Sequence, residues 1–412
     1  MIRKSNRNKQ LKKKSPKNSK MEKNLSKITE DELYKILYYL PVSSINNLLD
    51  TLPTLYVLDT DKTLTNIRKV IKEKMKQIYS ENQKKIDSLI EEINLCNPNI
   101  LGNLKKKIII NIKNAHILMW DSKRIYIDSL DLSHNNLKKL PISFGKLIIR
   151  SNLDLSRNQL TSLPESFGNI IIGGSLYLFR NKLTSLPESF GNLKKIGGSL
   201  ILHSNQLISL PESFGNITIR GYLDLSVNKL TLLPESFGSL TVGYCLDLSY
   251  NQLISLPESF GNIKIENFLN LSNNQLQTLP KSFGNLIIKS HLRLSNNQLQ
   301  TLPESFGNLT IQSYLDLSGN QLISLPDRFV NITVGNVLDL SNNKLTLLPI
   351  NIGRLKIRGK LDLSRNQLYE LPESFVYINV GGDLDLSRNQ LTFTSLSENV
   401  KNFIRINKNI IL

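Results

Sequence analysis

The stretch SLPESFGN sets a carboxylate beside a hydroxyl and a glycine, and it occurs four times without change, at residues 162–169, 185–192, 209–216 and 255–262. The chemistry that this combination suggests is nucleophilic attack by serine, which needs a base to activate the hydroxyl. Histidine, the usual base, occurs at four positions, His116, His134, His203 and His291. None of these lies within a copy of the stretch, so we predict no catalytic residue.

Metal and cofactor chemistry finds equally little support in the sequence. Metal sites draw on closely spaced Cys, His, Asp or Glu ligands, and phosphate-binding loops draw on clustered glycines. Neither spacing occurs, and the two cysteines, Cys96 and Cys245, are too far apart in sequence to predict a metal cluster or a disulfide framework. We therefore predict no metal, no cofactor and no enzymatic activity.

The composition indicates an intracellular protein. The 412 residues contain no secretory signal and no apolar window of the roughly 20 residues that a membrane-spanning helix needs. The presence of only two cysteines fits a reducing compartment. We expect the protein in the cytoplasm or the nucleus, and not in the secretory pathway.

An internal repeat supplies the elements that would position any site. The pattern LDLSRNQLTSLPESFGNI restarts twelve times, at Leu130, Leu153, Leu176, Leu200, Leu223, Leu246, Leu269, Leu292, Leu315, Leu338, Leu361 and Leu384. All steps between these leucines have the same length except one, through NLKKIGG at 192–198, which is longer by a single residue. LDL alternates apolar and polar residues, as in a strand with one buried face. Such strands predict a parallel sheet in which each unit is stabilised by its neighbours.

The spelling LxLSxNxLxxLP, in register over residues 130–391, resembles the intracellular leucine-rich repeats. The resemblance implies an α/β-type repeat solenoid, a horseshoe with a concave parallel β-sheet that binds a partner protein. One feature departs from the common form of the family. In segments such as NITIRGYL (216–223) the apolar residues are two apart, which favours extended structure. We therefore predict a largely non-helical convex side of strands, bends or short 3₁₀ turns, preceded by a small helical region.

An asparagine follows the strand in every repeat, where the chain must turn inside the solenoid. Buried backbone groups at such a turn need partners, and an amide side chain can both donate and accept a hydrogen bond. We predict a structural asparagine ladder made of Asn135, Asn158, Asn181, Asn205, Asn228, Asn251, Asn274, Asn297, Asn320, Asn343, Asn366 and Asn389.

The outward face of the sheet carries aspartate at its central position in eight repeats, at Asp131, Asp154, Asp224, Asp247, Asp316, Asp339, Asp362 and Asp385. Carboxylates about 5 Å apart repel one another mildly even in water. Two interpretations stay open, a hydrated face that discourages aggregation and a surface that binds a basic partner.

Two sets of residues break the repeat pattern near this face. The first set, in three neighbouring repeats, consists of Tyr177, Phe179, Arg180, Ile201, His203 and Tyr222. The second set consists of Tyr250, Phe268, Asn270, His291, Arg293 and Tyr314. Exposed aromatic residues and arginines are typical anchors of protein interfaces. We predict that these residues bind the partner, with the first set as the better site, and the alternative is drift among duplicated repeats.

The segment 1–27 contains eleven lysines and arginines against one glutamate, a net charge of +10 out of +18 for the chain. Such a segment buries too little surface to fold on its own. One interpretation is a disordered solubilising arm, and the other is a nuclear address or a contact with nucleic acid or an anionic surface. No aromatic residue interleaves with the lysines, so base stacking has no support.

Residues 28–58 resemble an F-box. The matching apolar positions are Leu33, Ile36, Leu37, Leu40 and Ile45. The resemblance implies docking to the adaptor subunit of a cullin ubiquitin ligase, although the Leu-Pro that opens the family motif is replaced here by Thr29-Glu30. A helical cap that packs on the solenoid is the alternative.

The sequence is thus predicted to contain six segments: a basic tail (1–27), the F-box-like segment (28–58), an amphipathic helical segment (59–95), an N-terminal cap or degenerate repeat (96–129), the solenoid (130–391) and a C-terminal cap (392–412). The predicted function is a protein-interaction scaffold, with a substrate receptor of a cullin ligase as the specific hypothesis. The alternatives are a free-standing adaptor and a binder of nucleic acid or anionic surfaces through the tail. The uniform repeats and the Asn-, Lys- and Ile-rich composition indicate recent duplication in an AT-rich genome, such as that of a large DNA virus or a unicellular eukaryote.

Overall fold

The structure, a computed structural model, describes residues 61–97 and 123–412. The basic tail, the F-box-like segment and His116 lie outside the described residues. The chain divides into two compact units, and the boundary falls between Glu81 and Asn82, inside helix α1 (Asp61–Cys96). The second unit contains the end of α1 from Asn82 onwards and all residues from Lys123 to Leu412.

The main sheet is built from the LDL segment of every repeat. Leu223 pairs with Leu200 on one side and with Leu246 on the other, and this in-register parallel pairing extends along the array. In spatial order the strands are β2 (Leu130–Asp131), β4 (Leu153–Asp154), β6 (Leu176–Tyr177), β8 (Leu200–Ile201), β10 (Leu223–Asp224), β12 (Cys245–Asp247), β14 (Phe268–Asn270), β15 (His291–Arg293), β17 (Tyr314–Asp316), β19 (Val337–Asp339), β21 (Leu361–Asp362), β23 (Leu384–Asp385) and β24 (Ile410–Ile411). The predicted repeat solenoid with a parallel sheet is confirmed.

The opposite side of each of the first eleven repeats is a 3₁₀ turn. The turn begins after the proline of the Leu-Pro pair, whose carbonyl accepts a hydrogen bond from the phenylalanine amide three residues later, as between Pro164 and Phe167 (2.8 Å). The turns span Ile142–Lys146, Glu165–Asn169, Glu188–Leu193, Glu212–Asn216, Glu235–Ser239, Glu258–Asn262, Lys281–Asn285, Glu304–Asn308, Asp327–Asn331, Ile352–Arg354 and Glu373–Tyr377. The prediction of a largely non-helical convex side is confirmed.

Short return strands lead from these turns back to the main sheet, and they pair into three small parallel sheets. The first contains β1 (Ile125–Ile127), β3 (Leu147–Ile149) and β5 (Ile171–Ile172). The second contains β7 (Lys195–Ile196), β9 (Thr218–Ile219), β11 (Thr241–Val242) and β13 (Lys264–Ile265). The third contains β16 (Thr310–Ile311), β18 (Thr333–Val334), β20 (Lys356–Ile357) and β22 (Asn379–Val380).

The core is a stack of leucine columns with one column of phenylalanines. From Phe167 to Phe329 the rings of neighbouring repeats are nearly parallel, with centroids 5.9 to 6.2 Å apart, and each ring is fully buried. Paired strands are only about 4.8 Å apart. Because equivalent atoms are farther apart at the phenylalanines than at the strands, the solenoid curves with the main sheet on its concave side.

Both ends of the solenoid are closed by other elements. At the start, the amide side chain of Asn82 in α1 exchanges two hydrogen bonds with the backbone of Tyr126 in β1, at 2.8 and 3.0 Å. At the end, α2 (Glu398–Ile406) buries Val400 and Ile404, and β24 pairs with β23. These contacts satisfy backbone groups and cover apolar surface that a terminal repeat would otherwise expose.

Every repeat places one residue, the one after the Ser position of LDLS, in the left-handed region of backbone space. These residues have φ between 52° and 66°, and they are His134, Arg157, Arg180, Ser204, Val227, Tyr250, Asn273, Asn296, Gly319, Asn342, Arg365 and Arg388. Glycine and asparagine adopt this conformation readily, whereas other residues pay roughly 1–2 kcal/mol. The turn out of the sheet therefore stores strain in most repeats, and most of all at the β-branched Val227.

Candidate functional site

The repeated Glu-Ser-Phe-Gly segment is a packing unit between repeats. The hydroxyl of Ser282 donates a hydrogen bond to the backbone carbonyl of Glu258 in the preceding repeat, at 2.5 Å. A side chain at Gly261 would overlap the carbonyl oxygen of Ser282. The serine hydroxyl is therefore used to join two 3₁₀ turns, and the glycine permits their close approach.

The asparagines of the ladder are hydrogen-bonded across repeats. The side chain of Asn251 accepts a hydrogen bond from the amide of Leu230 (3.0 Å) and donates to the carbonyls of Leu225 (3.0 Å) and Leu248 (3.1 Å). Asn135 is at the start of the ladder, and its amide group donates to the carbonyl of Ser133 in its own repeat. The asparagine side chain thus replaces the backbone partners that the turn removes.

The aspartates of the sheet face have a local structural role that the sequence reasoning missed. In all eight repeats Oδ1 of the aspartate accepts a hydrogen bond from the backbone amide two residues later, at 2.8 to 3.0 Å. Asn270 makes the same bond to Ser272, at 3.1 Å. The signal for this turn was present in the fixed Asp-x-Ser spacing, which is typical of side chains that hold a local turn.

The first set contains a half-buried aromatic cluster on the sheet face. The rings of Phe179 and His203 stack with centroids 4.9 Å apart, and the edge of Tyr177 meets Phe179 at 6.5 Å. The guanidinium of Arg157, from the preceding repeat, lies 5.9 Å from the Phe179 centroid. Ile201 is the register partner of Tyr177 in the sheet. We call Tyr177, Phe179, Ile201 and His203 the aromatic patch.

Two other members of the first set lie apart from the stacked rings. Tyr222 is 48% exposed, and its ring packs against Tyr244 with centroids 4.8 Å apart. Arg180 is exposed at a left-handed position, with φ 52°. The arginine that lies over a ring of this set is therefore Arg157, which follows its own strand as Arg180 does.

The second set is organised around His291. Its ring lies between those of Phe268 (5.8 Å) and Tyr314 (6.4 Å) on the flanking strands. The guanidinium of Arg293 is 5.3 Å from the Phe268 centroid, and the pKa of His291 is lowered by burial and by the charge of Arg293. The imidazole is therefore biased towards its neutral form, which suits an aromatic contact surface.

The edges of the second set are polar. The hydroxyl of Tyr314 donates to Oδ2 of Asp339 at 3.4 Å, and burial followed by the charges of Asp316 and Asp339 raises the pKa of this tyrosine. Burial also raises the pKa of Asp339. Tyr250 is 60% exposed at its left-handed position.

Several kinds of site are not found within residues 61–97 and 123–412. In these ranges the structure brings together no group of three or more His, Cys, Asp or Glu that could hold a metal ion. The helices of the same ranges are too short or too polar to cross a membrane. Of the two cysteines, Cys245 is buried and Cys96 is exposed, and both are free thiols.

Comparisons with known proteins give the following matches. A family model described as Leucine Rich Repeat matches residues 126–147, 151–170, 244–263, 267–286, 290–309 and 336–355. No curated protein matches the sequence. A chain of the solved PEPR1–AtPEP1 structure is 26% identical with a TM-score of 0.55, over 76% of this chain and 45% of that chain.

Two further solved structures match parts of the chain. A chain of the glycosylated Toll–Spatzle complex from Drosophila is 22% identical with a TM-score of 0.50, over 65% of this chain and 42% of that chain. The LRR protein LIC12759 of Leptospira interrogans is 28% identical with a TM-score of 0.41, over 69% of this chain and 84% of that chain. The protein spans less than half the length of the matched chains in the PEPR1 and Toll structures.

Proposed function

The chain is a leucine-rich-repeat protein, and we propose that it is a scaffold whose protein partner binds the concave face of the main sheet at the aromatic patch. The solved PEPR1–AtPEP1 structure supports partner binding by a solenoid of this kind. The side chains of this chain supply the more specific support.

The observation that carries the proposal is the loss of a structural hydrogen bond where the aromatic residues stand. In nine repeats an aspartate or asparagine oxygen accepts from the amide two residues later. Tyr177 and Ile201 occupy this position in two adjacent repeats and offer no such acceptor. A hydrogen bond to a charged group contributes about 1.5–3 kcal/mol. These repeats therefore give up local stabilisation for half-buried aromatic and aliphatic groups on the sheet face.

The patch has the chemistry of an interface anchor. Phe179 and His203 are already stacked against each other in the absence of a partner, so less side-chain entropy is lost when a partner covers the pair. Arg157 extends the surface with a cation beside the ring, a combination common at the centres of protein interfaces. We propose that the second set, with Phe268, His291, Arg293, Tyr314 and Tyr250, contributes a second contact on the same wall.

The test replaces the residues of the aromatic patch by the aspartates and serines that the other repeats have at these positions. The variant Tyr177→Asp, Phe179→Ser, Ile201→Asp, His203→Ser regains the aspartate acceptors and removes the aromatic patch. Affinity capture from a host-cell lysate followed by mass spectrometry should recover a partner with the parent chain and lose it with this variant. The matched control is Tyr377→Asn, which removes a 76% exposed aromatic residue from a 3₁₀ turn. Equal capture by the restored variant, with an unchanged circular dichroism spectrum, would refute the proposal.

The substrate-receptor hypothesis is a finer proposal that rests on the F-box resemblance of residues 28–58. If these residues dock to a cullin-ligase adaptor, the adaptor should co-purify with the chain and be lost after Leu33→Asp plus Leu37→Asp. Retention of the adaptor by this variant, or its absence from the parent capture, would leave a free-standing adaptor as the function.

The basic tail supports a separate proposal for residues 1–27, contact with nucleic acid or an anionic surface inside the cell. Its net charge of +10 predicts binding that weakens steeply with salt. Deletion of residues 1–27 leaves a net charge of +8 and should lower the salt concentration at which the chain elutes from a heparin column. Elution of the deleted chain at an unchanged salt concentration would contradict a role for the tail.

A further inference from the structure

We propose that a cleft on the return-strand side of the solenoid, between β5 and β7, binds a small organic phosphate. The cleft has a volume of about 680 Å³, within the roughly 300–1,000 Å³ usual for small-molecule sites. It lies on a different wall from the aromatic patch, so the proposal does not depend on partner binding there.

The cleft lies at the single inserted residue of the repeat array. The step from Leu176 to Leu200 is one residue longer than every other step, yet these leucines pair in register in the main sheet. The extra length is therefore absorbed on the return side, where Lys194 adopts a φ of 48° at the end of its 3₁₀ turn. At this place the return ladder is interrupted, and β5 and β7 are not paired with each other.

At the interruption, four backbone groups do not make the hydrogen bonds that their equivalents make in the next repeat. One repeat further on, the amide of Thr218 donates to the carbonyl of Lys194 (2.8 Å), and the amide of Arg220 donates to the carbonyl of Ile196 (3.1 Å). The equivalent donors at the gap are the amides of Lys195 and Gly197. The equivalent acceptors are the carbonyls of Ile170 and Ile172, and all four residues line the cleft. Such groups require a partner, either water or a ligand.

The charged residues of the cleft select an anion. Its lining includes four cationic side chains, Arg124, Lys194, Lys195 and Arg220, and no carboxylate. Arg124 is held in place because its Nη1 donates to the carbonyls of Gly145 (2.8 Å) and Asn169 (2.9 Å). This leaves the rest of a planar guanidinium for a phosphate, which it matches in geometry and charge.

The remaining wall favours an organic phosphate over a bare ion. Ile171 is half exposed at the cleft, at the register position that holds Thr218 and Thr241 in later repeats. This side chain offers an apolar contact for a carbon skeleton, and the two unpaired carbonyls offer acceptors for hydroxyl groups. The site therefore fits a phosphate ester of a hydroxylated compound, either free in solution or as a lipid headgroup.

Isothermal titration calorimetry of the full chain at low salt tests the proposal, with pyrophosphate and adenosine 5′-diphosphate as soluble probes. We expect both to bind, the nucleotide more tightly. Lys195→Ala plus Arg220→Ala should weaken binding at least tenfold. The matched control is Lys356→Ala plus Arg358→Ala, which removes the same residue types from the same register positions where the return ladder is continuous.

Two variants at Lys194 distinguish the effect of the inserted backbone residue from the effect of its positive charge. Deletion of Lys194 restores the regular step and should close the gap and abolish binding. Lys194→Gly suits the left-handed backbone, keeps the gap and should retain binding within about tenfold. Absence of binding to both probes, or an equal loss in the Lys356→Ala, Arg358→Ala control, would overturn the proposal for a free phosphate ester.

A vesicle arm distinguishes the source of the phosphate. Vesicles of phosphatidylcholine with one-fifth phosphatidic acid are tested by flotation with the same variants, in a chain lacking residues 1–27 to remove the basic tail. Flotation that is lost with Lys195→Ala plus Arg220→Ala identifies a lipid headgroup as the ligand. If neither soluble probe binds and flotation is absent or unaffected by this variant, no phosphate site exists at the cleft.

Discussion

Replacement of Asn251 by alanine is predicted to destabilise the solenoid far more than the same change at Asn135. Asn251 is 7% exposed, and its side chain is the partner of one amide and of three carbonyls, those of Leu225, Leu248 and Ser249, from its own and the preceding repeat. Asn135 begins the ladder, and its side chain donates to Ser133 of its own turn. The two variants remove the same atoms from the same position of the repeat and differ only in what those atoms bridge.

The magnitude follows from the groups left behind. The amide of Leu230 loses its partner, which costs about 1–3 kcal/mol for a buried donor. The carbonyl of Leu225 keeps a bond from Asn228 (3.0 Å), and that of Leu248 keeps one from Asn274 (3.0 Å), so each loses only one of two bonds, about 0.5–1.5 kcal/mol apiece. These three groups together predict a cost of about 2–6 kcal/mol for Asn251→Ala, against about 1 kcal/mol or less for Asn135→Ala.

Equilibrium unfolding in urea, followed by far-ultraviolet circular dichroism, measures the difference. Because repeat arrays can unfold in parts, hydrogen exchange read by mass spectrometry should accompany it and locate the opening. We expect faster exchange around the Leu230 amide in Asn251→Ala. Equal destabilisation by the two variants, or a loss below about 1 kcal/mol in Asn251→Ala, would refute the assignment of the ladder as a bridge between repeats.

Four other substitutions test the local geometry of the repeats. Val227→Asn should raise the free energy of unfolding by about 1 kcal/mol, because asparagine tolerates the left-handed backbone, and Asn342→Val should lower it by a similar amount in thermal unfolding. Asp339→Asn should stabilise the chain at neutral pH, because burial raises the pKa of Asp339 and so disfavours its ionised form in the folded state. Unfolding curves recorded at several pH values measure this effect. The gain in the free energy of unfolding should vanish below about pH 4, where the carboxyl is protonated in both the folded and the unfolded chain. Gly261→Ala should lower the melting temperature, because its new methyl group would overlap the carbonyl of Ser282.

The repeating parts of the fold could be predicted from the sequence because they depend on periodicity. Alternation within LDL predicted the strands, the constant step between repeats predicted their parallel stacking, and the apolar alternation in the return segments predicted short extended structure instead of helices. Each of these signals appears in all or nearly all of the repeats. Because the leucines of each strand must be buried, only one register of strand pairing is possible.

Features that depend on contacts between repeats were harder to predict. The arginine that meets Phe179 is Arg157, which reaches across from the preceding repeat, whereas adjacency in the sequence had suggested Arg180. The role of the sheet-face aspartates was missed because a turn bond between Asp154 and the amide of Ser156 leaves no trace in hydrophobicity. In the sequence, the cleft at Lys194 corresponds only to one extra residue. The repeat pattern did not indicate whether the main sheet or the return side would accommodate that residue.

The distribution of irregularities argues against drift as their whole explanation. Drift acts on each repeat independently, so it should scatter substitutions over all twelve units and all surface columns. On the sheet face both serine replacements and two of the four aspartate replacements instead fall in the neighbouring repeats of β6 and β8, and the other two aspartate replacements, Asn270 and Arg293, are adjacent in β14 and β15. The inserted Lys194 lies between β6 and β8 in the chain. The main sheet accommodates this insertion without a change of register, because a slip by one residue would turn every buried leucine of a strand towards water. In these repeats the residues of both outer walls differ from the common pattern, while the leucine columns keep the backbone in register. A binding site needs a scaffold whose backbone is held in this way.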